Sequence, residues 1–142
     1  MPNAVAVDAS VIIRYLTGDD PLQSAAATEL FRSAAAGRIN LIIPTSVLQE
    51  TVYALETFYA GTPATVAPKL VSLLSLTGVK CPEARWVLDG IQWYRAKNAD
   101  FGDALLCAYA RHHHCDVSTF DQALIKKFSE VTAAEPAKAK RK

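Results

Sequence analysis

The chain has 142 residues, 51% of them hydrophobic, with 15 basic against 14 acidic side chains and a formal net charge of +1. That length suits one domain with a real core, and the hydrophobic share excludes an intrinsically disordered chain. The even charge excludes a globally basic nucleic-acid binder, so any surface for nucleic acid has to be local. Three cysteines, Cys81, Cys107 and Cys115, form neither an even framework nor a C-x-x-C pair. This points away from disulfides and structural zinc and toward reduced thiols in a cytoplasm. The first apolar stretch has no basic region before it and runs into Asp8 and Arg14, so neither a secretory signal nor a membrane span is expected.

In chain order, residues 4–7 read as a short buried strand, followed by a helix through Ile12, Ile13 and Leu16 that Thr17-Gly18 ends. Asp20-Pro21 then starts a second helix, with Asp20 as N-cap, proline at the first helical position and Gln23 placed to complete a capping box. This alanine-rich helix stops near Gly37, and Leu41–Ile43 form the next strand, closed by Pro44. Ser46 and Gln49 have capping-box spacing ahead of a helix through Leu48, Val52, Leu55 and Tyr59. Gly61-Thr62-Pro63 breaks that helix, another covers roughly 64–76, and Val79–Cys81 can be a strand. Pro82 opens a helix with Val87, Leu88, Ile91 and Tyr94 on one stripe; 98–102 is a loop and 103–113 a further helix. Residues 116–119 make a last strand and 121–128 a last helix, which sets the domain at 1–130. The polar, basic end, 131–142, is expected to be disordered. Strands alternating with helices predict an α/β fold with parallel crossovers and a sheet covered on both faces.

The acids fall on this outline in a pattern. Asp8 follows the first strand and Asp121 the last, and parallel sheets bind ligands beyond the carboxyl ends of their strands. Asp103 opens a helix, where the unpaired amides of the first turn favour an anion. Glu50 lies in the first turns of a helix among apolar Val47, Leu48 and Val52, so its side chain can point inward. If these four converge, they cannot all stay ionised without compensation. A hard divalent cation such as Mg²⁺ prefers such oxygens. Each acid also has a plainer reading: Asp8 and Asp121 as helix caps, Asp103 as a first-turn acid and Glu50 on a solvated face.

Four segments, VDASVIIRYLTGDDP, IPTSVLQETVYAL, ADFGDALLCAYA and DVSTFD, taken in order, resemble the PIN-domain ribonucleases, and among them the VapC-type toxins of bacterial toxin–antitoxin pairs. The resemblance implies a three-layer α/β/α fold with a mostly parallel sheet of about four to five short strands. It implies that Asp8, Glu50, Asp103 and Asp121 bind Mg²⁺ or Mn²⁺ and support hydrolysis of RNA. Asp8 and Asp103 would be the more direct ligands, with Glu50 and Asp121 holding metal-bound waters or a second ion. It also implies a VapB-type antitoxin as partner and a homodimer. Where the family usually carries Thr-Asn after the first acid, this chain has Ala9-Ser10. Ser10 keeps a hydroxyl for a carboxylate or a scissile phosphate, but the second donor of an amide is gone. Thr119 is a further supporting hydroxyl, and Asp100 either borders the cleft or is a solvated loop acid.

Arg14, Arg111, Lys126 and Lys127 are the candidates for phosphate contact within the folded domain, and the KAKRK end could add salt-sensitive attraction to RNA. Asp19 and Asp20 fit helix initiation better than catalysis. His112, His113 and His114 point about 100° apart on a helix and cannot share an ion as one face would. Arg85 and Asp89 have the spacing of an i,i+4 ion pair. Trp86, Trp93, Tyr53 and Phe58 read as core or interface. A receiver domain would need adjacent acids after the first strand, and a haloacid-dehalogenase-type phosphatase would need D-x-D there; this chain has Asp8-Ala9-Ser10. The stronger rival is a non-catalytic PIN-like module that holds RNA or a protein.

Overall fold

A computed structural model describes residues 2–137. Its elements are β1 (Asn3–Ala6), α1 (Ala9–Thr17), α2 (Pro21–Ala35), β2 (Ile39–Ile42), α3 (Thr45–Phe58) and α4 (Pro63–Leu74). There follow β3 (Val79–Lys80), α5 (Ala84–Ala96), α6 (Phe101–His112), β4 (Val117–Ser118), α7 (Gln122–Lys127) and β5 (Ala133–Ala134). Every strand pairing is parallel, with β1, β2 and β3 in one sheet and β4 and β5 in another. This is the α/β/α arrangement of short parallel strands and covering helices expected from the sequence.

The first strand is less buried than expected. Val5 is half-buried and Val7, just past the strand, is buried, while Ala4 and Ala6 are exposed. Side chains alternate across a strand, and β1 pairs only with β2 at the end of the sheet order, so one of its faces stays open. The core lies behind it. Ile12, Leu41, Ile43, Leu48, Val52, Leu70, Val87, Ile91 and Tyr94 are all essentially inaccessible to solvent.

Helix starts differ from the expectation where tertiary contacts intervene. Asp20 caps α2 by accepting from Gln23 N at 3.1 Å, but the Gln23 amide oxygen accepts from Arg14 Nε at 2.7 Å, so the capping box is half-formed. The Ser46–Gln49 box does not form. Helix α3 begins one residue earlier, at Thr45, behind an extended Pro44 that offers no side-chain cap. Pro82 does not open α5, which starts at Ala84 after a turn closed by Ala84 N on Cys81 O at 3.1 Å. Helix α4 carries a box that no expectation included, in which Thr62 and Thr65 each bind the other's backbone.

The domain also runs past residue 130. Val117 N donates to Thr132 O at 2.9 Å and Thr119 N to Ala134 O at 3.0 Å, and half-buried Val131 and Ala133 pack on the core. The expected disorder is therefore corrected for 131–134, because the open edge of β4 takes up this segment's backbone groups. The KAKRK end lies outside the described residues. Because β5 is parallel to β4 and in register with it, both strands finish at the edge that carries Asp121.

Candidate active site

Three acids sit at helix N-termini, each fixed by the amides that a first turn leaves unpaired. Asp8 Oδ1 caps α1, accepting from Ser10 N at 3.0 Å, Ser10 Oγ at 2.5 Å and Val11 N at 3.3 Å. Asp121 Oδ1 caps α7, accepting from Ala123 N at 2.9 Å and Leu124 N at 3.1 Å. Asp100 Oδ1 caps α6 through Asp103 N at 2.9 Å. In each case one carboxylate oxygen does the capping and Oδ2 accepts no hydrogen bond among the described residues. Capping and ligand binding therefore do not compete for the same atom.

Both supporting hydroxyls are engaged with these caps. Ser10 Oγ gives its proton to Asp8, and this bond, ahead of those from the Val11 and Ser10 amides, holds the Asp8 carboxyl below the ordinary range. Thr119 Oγ1 accepts from Asp121 N at 3.0 Å and fixes the turn from β4 into α7.

Asp103 is the third residue of α6, half-buried, and no described donor reaches its carboxylate. Burial first, then the charges of Asp100 and Asp121, raise its pKa, while Lys127 opposes them. The fold thus brings Asp100, Asp103 and Asp121 within electrostatic reach of one another. Glu50 is exposed on α3 and lines an open depression of about 660 Å³ together with Ala9, Ser46, Gln49, Tyr53 and Ala54. Ala9 is the neighbour of Asp8, so Glu50 borders the first strand's acid.

The four carboxylates do not close on a single point: among the described residues no three acidic, histidine or cysteine side chains are disposed around one ion. Asp8 and Asp121 are held to their own helices, and Glu50 stands on an exposed turn. The donor chemistry nevertheless suits a hard divalent cation, since the available atoms are carboxylate oxygens. The ion pairs among the described residues are Arg14–Asp19, Arg32–Glu29 and Lys97–Glu130, and none involves Asp8, Glu50, Asp103 or Asp121.

The basic candidates divide. Lys127 bears on Asp103, and its Nζ donates to Asn98 O at 3.3 Å, which ties α7 to the loop before Asp100. Lys126 is exposed on the same helix. Arg14 has partners of its own: its guanidinium donates to Gln23 and, at 2.9 Å, to Asp19 Oδ1. Asp19 is not a helix cap but a junction, accepting also from Thr17 Oγ1 at 3.0 Å and Tyr59 OH at 2.6 Å, so that α1 is joined to the end of α3. Arg111 lies in the last turn of α6, about 12 Å along the axis from Asp103, and stacks over Trp93 with Cζ 5.6 Å from the ring centre.

The Arg85–Asp89 pair does not form among the described residues. His113 packs on Tyr109 with ring centres 4.2 Å apart, and His112 packs edge-on against His113. Sequence reasoning missed the role of Asp100 as the cap of α6. The signal was present as an acid three residues ahead of Asp103 at the start of an apolar run, a capping spacing. The Lys97–Glu130 pair at 2.7 Å, which fastens the C-terminal segment beside α7, had no local signature.

The family model described as PIN domain matches residues 5–131. Members of that family are typically nucleases that use divalent metals. No curated protein matches the chain. No helix among the described residues is long and apolar enough to cross a membrane.

Proposed function

Because this chain belongs to the PIN-domain family, we propose that it is a Mg²⁺- or Mn²⁺-dependent endoribonuclease, the toxin of a VapC-type toxin–antitoxin pair acting in the cytoplasm. One observation supports this most. Asp8 and Asp121 stand at the carboxyl ends of parallel strands with one oxygen each left over from capping, and Asp103, which carries no ion pair, lies within electrostatic reach of Asp121. A merely structural set of caps has no use for a further half-buried acid beside two others, since the repulsion weakens the fold.

Asp8, Glu50, Asp103 and Asp121 are the residues that would hold the cation. A divalent cation supplies polarisation of a phosphoryl oxygen and a more acidic water. The chain's own contribution is orientation. Ser10 fixes Asp8, Thr119 fixes the turn that presents Asp121, and Asp100 holds the start of α6 under Asp103. Lys127 offers a positive charge to a phosphate beside Asp103. Attack of water in line with the 3′ oxygen leaves a 5′-phosphate.

The partner reading is a VapB-type antitoxin. A cleft of about 360 Å³ between α1 and α2 starts at Ser10, next to Asp8, and continues past apolar Val11, Ala26, Ala27 and Leu30, with Arg14 and Gln23, which are bonded to each other, also on its wall. It suits a peptide that ends in a basic group near the acids. A homodimer completes the proposal. The test is incubation of purified protein with transfer and ribosomal RNA in Mg²⁺, Mn²⁺ or chelator. Cleavage that needs the metal and is lost in Asp8→Asn and Asp103→Asn supports the reading. RNA left intact by the parent protein, or cut equally by both variants, rejects it and favours a non-catalytic binding module.

A further inference from the structure

We propose that Tyr53 and Phe120 are positioning residues that stack on unpaired bases of an RNA strand drawn across the acids. The inference rests on the reading of the acidic cleft as an RNA site. Phe120 is 74% exposed and Tyr53 66% exposed, although burying such rings is normally favourable. Their places in the fold are specific. Phe120 immediately precedes the capping Asp121. Tyr53 stands one turn after Glu50 on the same face of α3 and lines the depression shared with Glu50 and Ala9. The other strongly exposed apolar chains sit elsewhere: Leu22 in the first turn of α2 and Phe58 at the last residue of α3.

Phe120 is also displayed by a fixed turn. On its N-terminal side Thr119 N is bound to Ala134 O at 3.0 Å, and on its C-terminal side Asp121 N is bound to Thr119 Oγ1 at 3.0 Å. A ring held out on a pinned backbone loses little freedom on binding, which is what a stacking platform requires. The charge of the site argues for bases as the handle. Carboxylates repel phosphates, so a strand crossing Asp8, Glu50, Asp103 and Asp121 gains more from its bases than from its backbone there. Stacking on aromatic rings is tolerant of sequence because every base has a π-face. Bases in a helix are already stacked on one another, so only unpaired ones can splay onto separate rings.

The experiment measures binding of a single-stranded RNA oligomer carrying 2-aminopurine to the full chain, in chelator so that nothing is cut. The same oligomer annealed to its complement is measured alongside. Phe120→Leu and Tyr53→Leu are each expected to weaken single-strand binding by about tenfold and to reduce the fluorescence quench. Phe120→Trp and Tyr53→Phe should restore both, and the duplex should bind weakly whichever variant is used. In Mn²⁺, the leucine variants should raise KM more than they lower kcat. Leucine variants that bind single strands as tightly as the parent, or that lose duplex binding equally, overturn the proposal and leave the rings to a protein partner. A parent that binds single strands in this ring-dependent way but never cuts them keeps the stacking role and removes the nuclease reading.

Discussion

Replacement of Asp8 separates two roles that one side chain performs. Its Oδ1 accepts from the Ser10 amide, the Ser10 hydroxyl and the Val11 amide, and an asparagine carbonyl can accept all three. Aspartate and asparagine rank alike as N-caps, so Asp8→Asn should fold within about 0.5 kcal/mol of the parent, whereas Asp8→Ala should lose about 1–2 kcal/mol. For a chain of this size the alanine variant would melt roughly 3–8 °C lower. Cleavage should be lost equally in both, because the second oxygen and the charge are gone in each. The assay pairs thermal melts with RNA cleavage at saturating Mn²⁺. An alanine variant as stable as the asparagine one would refute the cap. An asparagine variant that cuts RNA at the parental rate would refute the role of the acid.

Three further outcomes follow from the same structure. Burial, with Asp100 and Asp121 adding to it, raises the Asp103 pKa, so the folded state keeps that proton to higher pH than the unfolded chain. The resulting stability is lost as pH rises through the folded value. Asp103→Asn should therefore melt higher than the parent at neutral pH and equally at strongly acid pH, while losing cleavage; a lower neutral melting temperature contradicts this. Glu130 has the opposite sign, since Lys97 holds its carboxyl below the ordinary value. Its stabilisation is present above the unfolded pKa and is lost as pH falls through the folded one, so Glu130→Gln should cost about 1 kcal/mol at neutral pH for a partly buried pair near the surface and nothing in acid, read from urea titrations. Gly78 adopts a φ of 82°, and a Cβ there would overlap the Ala34 carbonyl. Gly78→Ala should cost about 3 kcal/mol, from backbone conformation and overpacking together, and denaturation at the parental urea midpoint would disprove it.

Local chemistry made much of the fold legible in the sequence. Asp20-Pro21 and Gly18 mark where a helix starts and another ends because a cap, a fixed φ and a left-handed residue act within a few positions. Of the expected helical stripe, Val87, Ile91 and Tyr94 became core for the same local reason, while Leu88, about 100° round the helix from Val87, faces outward. What was not legible depends on long-range pairing. Ala133–Ala134 has no strand signature and becomes a strand because β4 presents an open edge. Arg14 looked available until Asp19, Gln23 and Tyr59 met around it. In the site, the positions of Asp8 and Asp121 followed from strand ends, whereas Asp100 was left open between the cleft and a solvated loop. The approach of Asp121 and Lys127 to Asp103 is tertiary and had no sequence signal, nor did the exposure of Glu50 on α3.

The central claim is that carboxylates carried by separate elements act together on a divalent cation. Its most direct test is a Mn²⁺ titration of the full chain and of Asp8→Asn and Asp103→Asn, followed by thermal melts. The account expects saturable stabilisation of the parent, about 2.7 kcal/mol at a Mn²⁺ concentration of about 100 times Kd, and its loss in each variant. Melting temperatures that do not respond to Mn²⁺ in the parent, or that respond equally in all three proteins, would contradict it.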